Sequence, residues 1–466
     1  MAPARVVVVG GGIAGLSAAH ELAGRPGVTV TLCEAGERLG GKVRTEAFAG
    51  TDLDLGPDAF LARRPEAVAL CRELGLEDEL VAPAATTAWV WVGGRLRPLP
   101  AGTVLGVPTR LGPLARAGVL SPVGLARAAL EPLLPGRPLA GDAALGTVVR
   151  RRLGAEVHRR LVDPLVGGIN AGTTDRLSIE VCAPQLAAAA RRSPSLVRGV
   201  RAVTAGTGSG AGAGPVFLTI PGGLGRLVDA LSSRLDAAGA EVRTGEAVRA
   251  LAPGGDGTYV VTTASGPVVA DAVVVALPAP AAGRLVAPHA PGAGATLAAI
   301  DHASVALVAL AYPDSAVPRP LDGSGFVVAA GQGRLMTACS WASSKWAHLA
   351  RPGQVLLRAS AGRAGDERAS ALDDDAVVAR LRLELGAALG ITAPPSEVRV
   401  TRWPGAFPQY APGHLGRMAA AEEELATRLP GVSLAGAALA GVGLPACIGS
   451  GRVAARRALE AASPPS

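Results

Sequence analysis

A glycine turn near the amino terminus constrains the fold of this chain more than any other feature of its sequence. Residues 10–15 fit a G-x-G-x-x-G motif, directly after a valine-rich strand pattern at 5–10 and at the start of a helical pattern at 14–22. In this context the first glycine makes a tight turn, the second lets the backbone approach a pyrophosphate, and the third lets helix and strand pack closely. A second buried strand pattern follows at 28–34. The chain therefore opens with a predicted βαβ unit that binds a dinucleotide.

Glu34 ends the second predicted strand, 19 residues after Gly15. A carboxylate at this place can accept hydrogen bonds from a ribose diol and disfavours a 2′-phosphate. NADP is therefore disfavoured, whereas NAD and FAD both remain open on this motif alone. A single G-x-G-x-x-G would be weak evidence in a chain with 62 glycines, but a strand, a helix, a second strand and an acid together are strong evidence.

The composition predicts a multi-domain α/β protein. A chain of 466 residues is long enough for roughly two or three domains. Hydrophobic residues make up 49% and aromatic residues 3%, which favours α/β layers over an aromatic-rich β-sandwich. The five cysteines are scattered and the six histidines lack zinc spacings, so we expect a cytoplasmic protein with no metal site. We expect no signal peptide, because the residues at 6–12 run straight into the glycine turn. We expect no transmembrane span, because the stretch most worth testing as one, at 431–451, is rich in glycine.

The positive charge is concentrated in the middle of the chain. Residues 101–201 contain fourteen arginines against six acidic residues, in a chain with a net charge of +7. Such a block could meet nucleic acid, anionic lipid or an anionic substrate, or could be a solvated helical face without a partner. Almost no aromatic residues are interleaved with the arginines, so we expect no nucleic acid partner.

The stretch after Glu34 indicates which dinucleotide is bound. Residues 34–45 read EAGERLGGKVRT, and this resembles the R-x-G-G-[RK]-x-x-[ST] signature of the flavin-containing amine oxidase superfamily. Arg38, Gly40, Gly41, Lys42 and Thr45 fall on that signature. The resemblance implies FAD, bound without a covalent bond.

Later segments resemble the protoporphyrinogen/coproporphyrinogen oxidase family of haem synthesis. The resembling segments are DLGPDAF at 54–60, GRLRPLP at 94–100, the stretch 151–178 with LVDPLVGGINAG at its centre, RWPGAFPQY at 402–410 and GVGLP at 441–445. The resemblance covers nearly the whole chain. It implies a six-electron oxidation of a porphyrinogen, with dioxygen as acceptor and hydrogen peroxide as product.

The predicted fold is α/β, with a Rossmann-like FAD-binding domain, an inserted mixed-sheet substrate domain and a helical subdomain. The division places 1–62, 216–285 and 430–466 in the FAD-binding domain, 63–102 and 286–429 in the substrate domain, 103–203 in the helical subdomain and 204–215 in a flexible loop. The helical subdomain follows from Leu, Ala and Arg at helical intervals, and the loop from its Gly/Ser/Ala composition.

The motif and the resemblance together assign a set of site residues. The expected cofactor contacts are Gly10, Gly11, Gly12, Ile13, Ala14, Gly15, Leu16, Glu34, Ala35, Arg38, Gly40, Gly41, Lys42, Gly56, Pro57, Asp58, Ala59, Val248, Trp403, Gly441, Val442, Gly443 and Leu444. The expected substrate contacts are Arg63, Arg64, Gly168 and Phe326. No catalytic acid or base is assigned, because the flavin carries out the redox chemistry.

Two departures from the family pattern bear on the substrate. Ala446 stands where family members commonly have Asp, which puts one contact beside the flavin in doubt, and Ala88 stands where some protoporphyrinogen oxidases have Arg. Arg63 and Arg64 therefore become the candidates for pairing with a propionate, with solvated residues at a helix start as the alternative. The missing arginine favours coproporphyrinogen III, giving coproporphyrin III, and protoporphyrinogen IX is the alternative substrate.

Two other classes of protein share this architecture. An amine oxidase would place a lysine of the substrate domain near the flavin, but the chain has no lysine between Lys42 and Lys345. A flavin-free prenyl-binding relative is opposed by the intact glycines and Glu34. The expected partners are a porphyrinogen and dioxygen, and the basic block leaves open a peripheral membrane contact or a transient contact with a haem-pathway enzyme.

Overall fold

The computed structural model describes residues 3–206 and 214–462. The strands are β1 (Ala4–Val9), β2 (Val28–Cys33), β3 (Thr45–Phe48), β4 (Thr51–Asp54), β5 (Phe60–Leu61), β6 (Ala88–Val92), β7 (Arg95–Pro98), β8 (Thr103–Val104), β9 (Val107–Pro108), β10 (Phe217–Leu218), β11 (Glu241–Arg243), β12 (Ala250–Pro253), β13 (Tyr259–Thr262), β14 (Pro267–Ala270), β15 (Ala272–Val275), β16 (His302–Pro313), β17 (Gly325–Val328), β18 (Met336–Trp341), β19 (Gln354–Ala361), β20 (Glu397–Pro408) and β21 (Val432–Leu434). The α-helices are α1 (Ile13–Leu22), α2 (Pro65–Glu73), α3 (Leu111–Ala117), α4 (Pro122–Ala129), α5 (Leu145–Leu153), α6 (Ala155–Val157), α7 (Gly168–Asn170), α8 (Ile179–Cys182), α9 (Pro184–Arg192), α10 (Leu196–Gly206), α11 (Gly225–Ala237), α12 (Ala279–Val286), α13 (Pro291–Ala298), α14 (Ala342–Lys345), α15 (Arg368–Ala371), α16 (Asp374–Leu389), α17 (His414–Arg428), α18 (Ala437–Ala440) and α19 (Leu444–Ala462). A π-helical segment, His158–Gly167, joins α6 to α7.

The first unit is built on a five-stranded parallel sheet in the order β11-β2-β1-β15-β21. Strand β1 lies at its centre, and its valines alternate between two cores because successive side chains of a strand point to opposite faces. Helices α1, α2, α11 and α19 supply side chains to one core. Helices α12, α13 and α17 and the meander β12–β14 supply the other. This arrangement confirms the predicted Rossmann-like unit, buried on both faces of its sheet.

Three helices predicted in the substrate domain pack on the parallel sheet. Helix α2, predicted in the substrate domain, buries Ala67, Leu70 and Cys71 in the first core. Helices α13 and α17, also predicted in the substrate domain, pack on the opposite face of the parallel sheet. An amphipathic pattern predicts that a helix is buried on one side, but it does not indicate which sheet the helix covers.

The second unit is a seven-stranded mixed sheet in the order β20-β16-β19-β18-β17-β6-β7. Its neighbouring strands are antiparallel except for the pair β17 and β6, which is parallel. Helix α16 covers one face of this sheet through Val377, Leu381 and Leu385. The predicted insertion of a mixed-sheet domain is confirmed.

The third unit is helical and packs on the face of the mixed sheet opposite α16, over β6 and β17. Helices α5, α9 and α10 and the π-helical segment share a core with Val90 and Val92 of β6. The structure adds a short hairpin, β8 and β9, that the sequence pattern does not predict. Of the predicted flexible loop, 204–206 form the end of α10, and 207–213 lie outside the described residues.

A large cavity separates the parallel sheet from the mixed sheet, with the helical unit closing one side. Its walls come from the carboxyl ends of β1 and β15, from β16, β19 and β20, and from the end of the π-helical segment. This is the edge of an open α/β sheet at which ligands bind. Within 3–206 and 214–462, no helix combines the length and apolar character needed to cross a membrane.

Candidate active site

The glycine turn after β1 forms an open cradle at the start of α1. Gly10 has a φ of +105°, a backbone conformation that glycine tolerates and other residues rarely adopt. A side chain at Gly15 would collide with the carbonyl oxygen of Gly10, so the third glycine is what lets α1 lie against β1. Gly12 caps α1 without a side-chain hydrogen bond, and a Cβ added to it would meet no atom within 4 Å. The free N–H groups of the helix start therefore face an open space that suits a pyrophosphate.

Glu34 is held rigidly at the end of β2. Its Oε2 accepts a hydrogen bond from the Gly11 N–H at 2.6 Å, and its Oε1 accepts one from the Gly36 N–H at 2.8 Å. A carboxylate has about four acceptor sites, so Glu34 keeps acceptor sites for a ribose diol while it lines the cavity. Val248 does not line the cavity and packs against the second core of the parallel sheet. The Glu246 N–H, two residues earlier, donates to the Glu34 carbonyl at 2.8 Å.

The basic residues of the loop after Glu34 have different roles. Arg38 lies outside the cavity lining and donates to the carbonyl oxygens of Gly41 at 2.6 Å and Val43 at 3.3 Å. Lys42 lines the cavity, and no hydrogen-bond or ion-pair partner occurs for it among residues 3–206 and 214–462. Burial lowers the pKa of Lys42. Arg38 therefore shapes the loop, whereas Lys42 is available to a bound ligand.

Asp58 connects the cofactor side of the cavity to the mixed sheet. Its Oδ2 accepts hydrogen bonds from Lys345 Nζ at 2.8 Å and from Trp346 Nε1 at 3.2 Å, and lies 3.3 Å from the guanidinium of Arg358. Burial alone would raise the pKa of Asp58, but the charges of Lys345 and Arg358 hold it well below its usual range. Arg358 also donates to the Gly56 carbonyl at 2.5 Å. The three charged side chains fix the 56–59 loop against the sheet.

The opposite wall comes from the last third of the chain. Trp403 of β20 lines the cavity and donates from its Nε1 to the Leu55 carbonyl at 2.9 Å. Gly441, with a φ of +148°, begins the turn that leads into α19 and lines the same space. Ala446, the position where the family commonly has Asp, also lines the cavity, so this chain presents a methyl group there instead of a carboxylate.

Most of the predicted cofactor residues converge on this cavity. The predicted residues that line it are Gly10, Gly12, Ile13, Ala14, Glu34, Ala35, Gly40, Gly41, Lys42, Gly56, Pro57, Asp58, Ala59, Trp403, Gly441, Val442, Gly443 and Leu444. The predicted residues outside the lining are Gly11, Gly15, Leu16, Arg38 and Val248.

The substrate side of the cavity carries free cations. Arg63 and Arg64 line the cavity and are exposed, and neither has a side-chain partner among the described residues. Burial, with the charge of Arg64, lowers the pKa of Arg63. Arg110, at the start of α3, lines the same cavity and is also unpaired in the described part of the chain. Gly168 lines the cavity, and a Cβ added to it would meet nothing within 4 Å.

Phe326 does not lie where the sequence predicts. It is 4% exposed, packs edge to face on Trp341 with the ring centroids 6.5 Å apart, and is not part of the cavity lining. The resemblance indicates the right strand, but the pleat turns this ring into the core of the sheet. Conversely, sequence reasoning missed Arg110 and His302, which both line the cavity. Only the general excess of arginine at 101–201 pointed toward Arg110, and no pattern singled out His302.

The cavity fits FAD together with a second large ligand. Its volume is about 2370 Å³, compared with roughly 300–1,000 Å³ for the site of one small ligand. The glycine cradle and the Glu34 carboxylate lie at one end and the free arginines at the other. The open helix start, the ribose acceptor and the apolar turn at 441–444 suit the pyrophosphate, the ribose and the ring system of a flavin dinucleotide.

Comparison with known proteins agrees with this site. Residues 13–459 match the model of the family described as flavin-containing amine oxidoreductase. The chain is 37% identical to the coproporphyrinogen III oxidase of Bacillus subtilis (strain 168), over 97% of each chain. It is 30% identical to the protoporphyrinogen oxidase of Bos taurus, over 97% of this chain and 98% of the bovine one. A crystal structure from Exiguobacterium sp. 255-15, provisionally named a protoporphyrinogen oxidase, superimposes with a TM-score of 0.88 at 33% identity, covering 99% of this chain and 100% of that one.

The match extends from the glycine turn to the last helix, so it includes both ends of the cavity. The FAD cofactor and the oxidoreductase class predicted from the sequence are confirmed by this family and by the site geometry. A flavin-free relative of the same architecture is thereby excluded. The chain belongs to the flavin-containing amine oxidoreductase family.

Proposed function

We propose that this protein oxidises coproporphyrinogen III to coproporphyrin III in haem biosynthesis, with dioxygen as the electron acceptor and hydrogen peroxide as the second product. The observation that carries the proposal is the set of unpaired cations, Arg63, Arg64 and Arg110, on the wall of a cavity that continues into the flavin cradle. Carboxylates of a tetrapyrrole would pair with these guanidinium groups. When bound, FAD accepts the electrons of each two-electron step and passes them to dioxygen.

The protein's own residues bind and orient the substrate. Val305 and Leu307 of β16 and Met336 of β18 give the cavity an aliphatic floor against which an apolar macrocycle can lie. Gly168 leaves the facing wall open at the end of the π-helical segment. Ala88, where some protoporphyrinogen oxidases have Arg, lies outside the cavity lining, whereas Arg63, Arg64 and Arg110 are carboxylate partners that the described walls offer.

Protoporphyrinogen IX is the second candidate substrate, and the similarity to the bovine protoporphyrinogen oxidase supports it. It has fewer carboxylates to pair with the cavity arginines than coproporphyrinogen III. An amine oxidase activity is less favoured, because Lys345 is committed to Asp58 and the free cations would repel an ammonium substrate.

The deciding experiment mixes the purified holoprotein anaerobically with each porphyrinogen. We expect flavin absorbance to bleach faster with coproporphyrinogen III, followed by porphyrin fluorescence when oxygen is admitted. Faster bleaching with protoporphyrinogen IX would identify protoporphyrinogen IX as the preferred substrate. Bleaching with polyamines alone would reject both porphyrinogens.

The cellular setting also belongs to the proposal. The cysteines of the described chain are all free, as expected for a reducing cytoplasm. Contact with a membrane surface or a haem-pathway enzyme is supported by exposed apolar side chains of the helical unit, among them Val123, Leu130 and Leu133 at 79%, 51% and 76% exposure. Liposome flotation of the holoprotein tests the membrane contact.

A further inference from the structure

We infer that His302 is the base that receives the substrate's pyrrole N–H proton during each oxidation step, an inference that rests on the proposed function. Dehydrogenation removes a hydride from a carbon and a proton from a nitrogen. FAD, when bound in the glycine cradle, would supply the acceptor for the hydride and its electron pair. The proton needs a neutral acceptor inside the cavity, and its transfer to His302 Nε2 turns the imidazole into an imidazolium. The proton then passes to water before the next step.

The tautomer of His302 is determined by its backbone partner. Its Nδ1 lies 2.7 Å from the Ile300 carbonyl oxygen. A carbonyl can only accept, so Nδ1 carries the hydrogen, and the neutral ring has its lone pair on Nε2. No hydrogen bond to Nε2 occurs among residues 3–206 and 214–462. The half-buried ring lines the cavity and so presents a free acceptor to a ligand.

His302 lies beside an irregular stretch of the pairing between β16 and β20. Val305 and Leu307 of the same strand also line the cavity, and regular alternation would turn His302, three residues before Val305, to the other face. The two steps from Ala303 to Val305 pair with four steps from Phe407 to Trp403, so the extra residues lie in β20. Beyond this irregularity His302 lies opposite Pro408, and both residues line the cavity. Bulges of this kind re-aim side chains beside active sites.

The other ionisable side chains of the described cavity wall are poor acceptors. Asp58 is ion-paired with Lys345 and Arg358, and Asp366 is ion-paired with Arg368. Glu34 accepts two backbone N–H groups at the ribose end. Burial raises the pKa of Cys182 to about 12 and that of Cys447 to about 11, so both thiols keep their protons. Lys42 and the arginines already carry theirs.

Burial and the charge of Lys42 favour the neutral form of His302. Burial has the largest effect and lowers its pKa, and the positive charge of Lys42 lowers it further. The Ile300 carbonyl and the carboxylate of Asp301 act in the opposite direction, and Asp301 is itself paired with Arg176 at 3.0 Å. The ring is therefore held in its neutral form, in which the Nε2 lone pair can accept a proton.

The test compares His302→Asn, His302→Ala and the control His289→Asn, which changes a histidine outside the cavity lining. Asn can still donate to the Ile300 carbonyl but cannot take a proton. FAD content and coproporphyrin binding, measured by absorbance and fluorescence titration, should match the wild type in all three variants. Anaerobic flavin bleaching by coproporphyrinogen III should slow by about 100-fold or more in His302→Asn, and added imidazole should restore it in His302→Ala.

Two results would overturn the inference. In the first, the flavin of His302→Asn bleaches at a rate within about threefold of the wild-type rate and with the same pH profile. In the second, added imidazole does not restore the bleaching rate of FAD-loaded His302→Ala. If His302→Asn fails to bind FAD, His302→Ala with imidazole decides alone. A wild-type protein that no porphyrinogen bleaches would contradict the proposed function instead, so the two failures are distinguishable.

Discussion

Lys345 Nζ donates to Asp58 Oδ2 at 2.8 Å, and this ion pair ties the mixed sheet to the loop beside the flavin cradle. Asp58→Asn would leave Lys345 and Arg358 without their carboxylate. We expect a loss of about 2 kcal/mol in stability, less than for a fully buried pair because Asp58 is partly exposed, and weaker FAD retention. Thermal unfolding followed by flavin fluorescence measures both. The exposed Asp52→Asn serves as the control, and equal unfolding temperatures for the two variants would refute the prediction.

Asp54 makes stability depend on pH with a definite sign. Burial raises the pKa of Asp54 to about 6, against hydrogen bonds from Thr45 and Leu224. The folded protein therefore binds this proton more tightly than the unfolded chain, and its contribution to stability is lost as pH rises from about 4 through about 6. Asp54→Asn should not show this loss. The free energy of unfolding of the variant, relative to that of the wild type, should therefore be about 1–2 kcal/mol higher at pH 8 than at pH 5. Urea unfolding at both pH values measures this difference. An equal change in the free energy of unfolding at pH 5 and pH 8 would contradict the prediction.

Glu34 is expected to determine FAD affinity. Glu34→Gln keeps one oxygen acceptor but loses the charge and the second acceptor, so the Gly11 and Gly36 N–H groups and the ribose compete for fewer lone pairs. We expect FAD to bind about 10- to 100-fold more weakly, as measured by fluorescence titration of the deflavinated protein. Glu37→Gln, three residues away and outside the cavity lining, should bind FAD like the wild type.

The glycines of the turn should separate folding from cofactor binding. Gly15→Ala forces a Cβ into the Gly10 carbonyl. We therefore expect stability to fall by about 2 kcal/mol or more, and FAD content to fall as well. Gly12→Ala places its Cβ in open space, so stability should change by less than about 1 kcal/mol while FAD content falls. Circular dichroism melting and the flavin-to-protein absorbance ratio give the two readouts. Similar melting of both variants would count against this division of roles.

Arg110 is expected to act on substrate affinity rather than on turnover. Arg110→Gln removes an unpaired cation of the cavity wall and should raise KM for coproporphyrinogen III about tenfold with little change in kcat. Arg116→Gln changes an exposed arginine of the same helix that does not line the cavity. An equal effect of both substitutions would point to the general field of the basic helical unit instead of a direct contact.

The sequence alone determined the parts of this protein that are local in the chain. The glycine turn, Glu34 and the β1–α1–β2 order follow from short-range spacing, and the structure has them where the sequence places them. FAD and the oxidoreductase class followed from the continuation of this motif at 38–45, and the family match agrees. Such features can be predicted from the sequence alone, because a motif that binds phosphate needs only a strand end, a turn and a helix start.

Only the tertiary structure decided which side chains reach the cavity. Phe326 is buried against Trp341, whereas His302 lines the cavity beside an irregularity in the pairing of β16 with β20. Arginines also differ in their partners. Arg38 donates its hydrogen bonds to loop carbonyls, whereas Arg110 lines the cavity without a side-chain partner among the described residues. Whether a charge is available depends on partners far away in the chain, as with Asp58 and Lys345, 287 residues apart. Spacing along the chain does not encode such pairings, because packing between separate units creates them.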